Sequence, residues 1–107
     1  MTVVRFEGAP DRLSGFTCQG HSGYAEAGED IVCAAVTSAV RLAECTINDV
    51  FLAGADVSVD AETAAVTLRL PRKCPNEAAC RGVLQGLLLY LRELSLENPN
   101  YLSVLEV

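Results

Sequence analysis

The chain has 107 residues, half of them hydrophobic, and its fourteen acidic and eight basic residues give a net charge of −6 at pH 7. This length and composition predict a single folded domain over residues 1–107, and the negative charge argues against direct nucleic-acid binding, because phosphate contacts need clustered lysine and arginine. No segment has the length of a membrane-spanning helix and the N-terminus lacks a secretory signal, so we expect a cytoplasmic protein.

The first half of the chain predicts two strands followed by a helix. Val3 to Glu7 and Leu13 to Gln19 have the pattern of strands, joined by a turn at Gly8-Ala9-Pro10-Asp11. A glycine-punctuated loop from Ser22 to Asp30 leads to a helix that we expect to begin near Asp30 and to end before Gly54. Apolar residues recur along it at helical spacing: Val32, Ala35, Val36, Ala39, Val40, Ala43 and Ile47.

The second half predicts two more strands, a second helix and a last strand. Ala55 to Asp60 and Ala64 to Leu70 have strand patterns, and Pro75-Asn76 is typical of a helix start. After Pro99 ends that helix, Tyr101 to Glu106 has the pattern of a strand. The element order ββαββαβ predicts an α+β fold with a mostly antiparallel sheet and both helices packed on one face. The second helix carries an apolar stripe of Leu84, Leu87, Leu88, Leu91 and Leu94.

The five cysteines argue against a disulfide framework and against a metal site. Their number is odd, no C-x-x-C pair occurs, and His21 is the only histidine, which leaves every common zinc pattern incomplete. We therefore expect no metal and no cofactor. Cys18, Cys45 and Cys80 fall on apolar faces or within helices, where cysteine usually acts as a small hydrophobic residue.

Cys33 is the candidate nucleophile because of its predicted place in the first helix. If Asp30 is the N-cap, Cys33 is the third helical residue and lies among free backbone N–H groups, at the positive end of the helix dipole. This setting favours the thiolate, which is the form that attacks carbonyls. The same N–H groups could hold the oxyanion of a tetrahedral intermediate.

His21 is the candidate base, since it stands at the other end of the short connection that leads to the Cys33 helix. An imidazole there could take the thiol proton and later protonate the leaving amine. Asp30 has two competing interpretations. It could cap the helix, or it could orient His21 as a third catalytic residue, although a carboxylate beside the thiol would oppose ionisation of Cys33.

The segment around these residues closely resembles the ribosomal-processing cysteine protease family, called Prp. The family pattern is Gly-His-Ala-x-Tyr-Ala followed by Gly-x-Asp-Ile-Val-Cys-Ala-Ala-Val-Ser, and Ser22 and Thr37 stand where alanine and serine are usual. The matching residues are Gly20, His21, Tyr24, Ala25, Gly28, Asp30, Ile31, Val32, Cys33, Ala34, Ala35 and Val36.

The resemblance implies a site-specific cysteine endopeptidase with His21 and Cys33 as its catalytic pair. It also implies a homodimer and a mobile substrate loop from Ser22 to Glu29. The residues that we expect to contact substrate in and next to this loop are Gly20, Ser22, Gly23, Tyr24 and Gly28. The implied substrate is the precursor of large-subunit ribosomal protein twenty-seven, cut after an aromatic pair to remove a short N-terminal extension and so aid ribosome assembly. Two alternatives stay open: a non-catalytic ribosome-associated interaction module, and a thiol redox sensor.

Overall fold

The computed structural model of the chain describes residues 1–20 and 27–106, and for residues 27–29 it describes the backbone alone. These parts form one five-stranded sheet and two long helices, in the predicted order ββαββαβ. The elements are β1 (Thr2–Ala9), β2 (Arg12–Gln19), α1 (Ala27–Cys45), a short π-helical segment (Thr46–Val50), β3 (Asp56–Val59), β4 (Val66–Arg69), α2 (Glu77–Glu97) and β5 (Leu102–Glu106).

The strands lie in the order β3-β4-β2-β1-β5. All neighbouring pairs are antiparallel except β1 and β5, which run parallel with Thr2 opposite Leu102. The parallel pair follows from the connection, because α2 carries the chain across the sheet before β5 begins. The predicted α+β class and the mostly antiparallel sheet are therefore confirmed.

One face of the sheet is covered by the helices, and the other face is polar. On β1, Thr2, Val4 and Phe6 point into the core and are almost completely buried. They alternate with residues of the open face, where Glu7 of β1 forms an ion pair with Arg69 of β4. The two faces thus follow from the two-residue side-chain period of a strand. Core residues of the helices include Val32, Val36 and Val40 from α1, and Leu84, Leu88 and Leu91 from α2.

Helix α1 differs from its prediction at its start, because it includes Ala27, three residues before the expected start at Asp30. Its regular α-helical part ends at Cys45 and the chain continues as the π-helical segment to Val50, so the helix ends before Gly54 as expected. Alanine is the strongest helix former, and an acidic residue such as Asp30 is stabilised in a first turn by the helix dipole, so the helix extends towards the N-terminus. Helix α2 begins directly after Asn76, as the sequence predicts.

Candidate active site

The Cys33 side chain lies where α1 crosses the start of β1. Its Sγ atom is 3.0 Å from Oγ1 of Thr2, and the thiol is partly exposed. Thr2 is only 2% exposed. Its backbone N–H donates to the carbonyl of Tyr101 at 2.9 Å, just before β5 begins. The thiol therefore lies against the end of the β1–β5 pair.

A pocket of about 240 Å³ opens beside Cys33. Gly20, which follows the last residue of β2, is one of the residues that line it, and His21 is the next residue in the chain. The pocket thus joins the candidate nucleophile to the residue that precedes the candidate base. Other lining residues are Thr2, Cys18, Thr37 and Ala64.

Cys18 shares this pocket with Cys33, and its thiol is hard to ionise. Burial raises the pKa of the Cys18 thiol to about 11, and a negative charge on the neighbouring Cys33 adds to the rise. Cys18 therefore stays protonated at neutral pH and lines the pocket as an apolar side chain.

The other three cysteines lie outside the pocket. Cys45 is exposed near the end of α1, where a hydrogen bond with Asp49 is the main cause of its raised pKa. Cys80 is completely buried in the core, and burial raises its pKa to about 11. Cys74 is partly buried, and its thiol donates to the carbonyl of Pro75 at 3.5 Å. Cys33 and Cys18 are the two cysteines that line this pocket, and the raised pKa of Cys18 disfavours its thiolate, so Cys33 is the candidate nucleophile.

The early start of α1 corrects the electrostatic part of the sequence prediction. Cys33 is the seventh residue of the helix and not the third, so it lies in the second turn. The unpaired N–H groups of an α-helix are confined to its first four residues, and the dipole effect falls off within the first turn. The helix start is therefore not adjacent to the Cys33 sulfur, and its N–H groups are not the expected oxyanion donors for this thiol.

Asp30 lies within α1 and not before it. It is the fourth residue of the helix as described and is exposed, which does not fit the expected N-cap position. It precedes Cys33 by three residues, a spacing that places the two on neighbouring positions of one helix face.

Part of the predicted substrate loop is helical, because Gly28 and Glu29 belong to α1. Gly20 lines the pocket, whereas His21, Ser22, Gly23 and Tyr24 lie outside the described residues, so their roles stay predictions.

Thr2 is the site residue that sequence reasoning missed. It stands 31 positions before Cys33, and nothing in a strand start indicates which helix residue will face it. One signal was available, because Thr2 takes the polar place in an otherwise apolar inward series with Val4 and Phe6. A polar side chain on the buried face of a strand needs a partner inside the protein.

The match to a protein family gives the class of the chain. The model of the family described as cysteine protease Prp matches residues 1–103. The chain belongs to the cysteine protease Prp family. It is therefore a cysteine protease, and the family prediction made from the segment around Cys33 is confirmed.

Solved structures share the fold along the entire chain. The S. aureus ribosomal processing protease Prp in complex with a substrate peptide has a TM-score of 0.87 at 18% identity, with 100% of both chains covered. The same S. aureus protease with a covalently linked product peptide has a TM-score of 0.82 at 19% identity, again with 100% of both chains covered. SMU.848 from Streptococcus mutans has a TM-score of 0.87 at 19% identity, covering 100% of this chain and 94% of that one. No curated protein sequence matches the chain.

The described residues form neither a metal-ligand cluster nor a membrane-spanning helix. Within residues 1–20 and 27–106, no group of three histidine, cysteine, aspartate or glutamate side chains is arranged to hold a metal ion. Over the same residues, neither helix combines the length and the apolar character needed to cross a bilayer.

Proposed function

We propose that this chain is a site-specific cysteine endopeptidase in which Cys33 is the nucleophile and His21 the proton carrier. The observation that carries the proposal is the pocket in which the partly exposed Cys33 thiol and Gly20 both lie. His21, the proposed proton carrier, follows Gly20 directly in the sequence. Membership in a cysteine protease family supplies the reaction class.

The proposed reaction has two halves. In the first, His21 takes the Cys33 proton, the thiolate attacks the peptide carbonyl carbon, and a C–S bond forms. The tetrahedral intermediate then expels the amine, which receives the proton from the His21 imidazolium and leaves a thioester. In the second, His21 takes a proton from water as the water oxygen attacks the thioester, the C–S bond breaks to release the acid product, and the imidazolium returns its proton to the Cys33 thiolate.

The proposed substrate is the precursor of large-subunit ribosomal protein twenty-seven, whose N-terminal extension would be removed after an aromatic pair to aid ribosome assembly. The structurally similar S. aureus enzyme is a ribosomal processing protease that was solved with a substrate peptide, which supports a substrate of this class. The net charge of −6 favours encounter with a basic protein and disfavours direct contact with RNA or DNA. Processing of such a precursor places the enzyme in the cytoplasm.

The connection that contains His21, Ser22, Gly23 and Tyr24 is proposed to close over the bound peptide. Its anchor Gly20 lies at the pocket mouth, and an added Cβ at Gly20 would meet no atom within 4 Å. Closure of such a segment around a peptide excludes water and completes the site. Asp30 would then influence the site by its charge, one helical turn before Cys33.

A homodimer is proposed to form across the outer side of the two helices. An apolar groove of about 510 Å³ runs between α1 and α2, with Leu42 and Tyr90 among its lining residues. Leu42 is 69% exposed, and Ile31, one position along from Asp30 on α1, is 71% exposed. Large exposed apolar side chains that are contiguous with a groove are typical of protein–protein contact surfaces.

The test of the proposed function compares two serine substitutions in the same helix. Cys33→Ser and the matched control Cys45→Ser are incubated with the ribosomal precursor and with a peptide that spans the aromatic site, and products are identified by mass. We expect Cys33→Ser to lose cleavage by at least about 1000-fold and Cys45→Ser to cleave like the wild type. Cleavage by Cys33→Ser at the wild-type rate would refute the assignment of the nucleophile.

The same proteins separate an enzyme from a non-catalytic interaction module. A nucleophilic Cys33 reacts with iodoacetamide at a lower pH than the thiols of the unfolded chain, whereas a thiol that only packs is protected. A Cys33 that is inert in the folded protein, together with an uncut precursor that still binds, would favour the interaction module.

A further inference from the structure

Thr2 is conspicuous because it is buried and polar. Among the residues whose burial the structure describes, it is the one polar side chain in the buried class, at 2% exposure. A buried hydroxyl without a partner costs free energy, so such groups are nearly always hydrogen-bonded. The partner of the Thr2 hydroxyl is Sγ of Cys33, at 3.0 Å.

This contact changes character when Cys33 ionises. A thiol can donate to or accept from a hydroxyl, and both interactions are weak. A thiolate can only accept, so the Thr2 hydroxyl then donates to a charged sulfur, and hydrogen bonds to charged groups are roughly twice as strong as neutral ones. The contact therefore favours the thiolate over the thiol.

The backbone around Thr2 fixes the hydroxyl before any substrate binds. The N–H of Thr2 donates to Tyr101, and Thr2 is opposite the buried Leu102 in the parallel β1–β5 pair. Cys33 is carried by α1, whose neighbouring Val32 and Val36 are in the core. Both atoms of the contact are thus held by regular elements, independently of the segment that contains His21.

We propose that Thr2 is a positioning residue, which holds the Cys33 sulfur at the pocket and donates to its thiolate. This inference rests on the proposed role of Cys33 as nucleophile and adds a third side chain to the proposed pair. In this proposal the Thr2 hydroxyl gives the Cys33 thiolate the stabilisation that the sequence analysis attributed to the start of the helix. The hydroxyl acts through Cys33 and touches no reacting atom of the substrate.

Other titratable groups near Cys33 have to stay unchanged in the test. Cys18 of β2 shares the pocket, Asp30 lies one turn earlier on α1, His21 follows Gly20, and the α-amino group of Met1 precedes Thr2. A substitution at Thr2 leaves all four of them in place. A change in the ionisation of Cys33 would then report the loss of the hydroxyl.

The chain offers a matched control on the opposite face of the sheet. Thr17 of β2 also pairs its hydroxyl with another side chain, Oγ1 of Thr67, at 3.2 Å. Thr17→Val and Thr2→Val remove the same atom from the same sheet and keep the β-branched shape. Thr2→Ser keeps the hydroxyl and removes a methyl group, so it tests whether the hydroxyl itself matters.

The experiment measures the pH profile of Cys33 alkylation by iodoacetamide, followed by peptide mass mapping, and kcat and KM on the peptide substrate. We expect Thr2→Val to move the midpoint of the profile upward by about one pH unit and to lower kcat about tenfold with little change in KM. Thr2→Ser and Thr17→Val should stay within about twofold of the wild-type kcat and keep its midpoint.

Two results would overturn the inference: a Thr2→Val profile identical to the wild type, or equal shifts in Thr2→Val and Thr2→Ser. Thermal unfolding confirms that each variant is folded, and Thr2→Ala replaces Thr2→Val if valine prevents folding. Alkylation of Cys33 can be measured without peptidase activity, so the role of Thr2 and the role of Cys33 as nucleophile are tested independently. Full cleavage by Cys33→Ser refutes the nucleophile, whereas an inactive Cys33→Ser with an unchanged Thr2→Val profile refutes the role of Thr2 alone.

Discussion

The raised pKa of Cys18 leads to a quantitative prediction about the pocket. With a pKa of about 11 in place of 9.0, the thiolate fraction of Cys18 at about pH 8 is roughly 100-fold lower in the folded protein than in the unfolded chain. Iodoacetamide reacts with the thiolate, so alkylation of Cys18 should slow by about the same factor. The assay is a time course of alkylation at about pH 8, with and without denaturant, followed by peptide mass mapping.

Replacing Cys33 tests the two causes of this raised pKa. Burial is the larger cause and the charge of Cys33 the smaller one. Cys33→Ser removes the charge and keeps the burial, so Cys18 should react faster than in the wild type while remaining well below the rate of the unfolded chain. If Cys18 in the folded wild type reacts as fast as in denaturant, burial in the pocket does not raise the pKa of Cys18 and the prediction is refuted.

Three further predictions concern stability and assembly. The free energy of unfolding should fall as pH rises from about 9 to about 11, because Cys18 loses its proton around pH 9.0 in the unfolded chain but keeps it up to about pH 11 in the folded protein. Denaturant titrations at a series of pH values should show a smaller fall for Cys18→Ala than for the wild type. Gly15→Ala should lower the stability of the protein by about 1–3 kcal/mol, because the added Cβ would lie 2.1 Å from the carbonyl oxygen of Leu68. Gly82→Ala should raise the stability by about 1 kcal/mol, because Gly82 lies in α2 and an added Cβ there meets no other atom. Leu42→Glu should convert the proposed dimer to a monomer in analytical ultracentrifugation, and an unchanged sedimentation coefficient would contradict the proposed interface.

Much of the fold could be predicted because its elements are locally encoded. The leucine stripe of α2 and the alternation of Val66 and Leu68 with polar neighbours in β4 each repeat with the period of one element type. The α+β class followed from the order of those elements. The start of α1 was misplaced because Asp30 resembles an N-cap, while the helix gains by beginning at Ala27.

The sequence by itself determined the element types, the class of fold and, through the segment from Gly20 to Val36, the protease family. Tertiary structure alone decided the strand order, the parallel pairing of β1 with β5, and the contact between Thr2 and Cys33 across 31 positions. Local patterns depend on neighbours within a few residues, whereas these features arise when distant elements pack together to bury apolar surface. The thiol was visible in the sequence, but its hydroxyl partner and the pocket around it exist only in the folded chain.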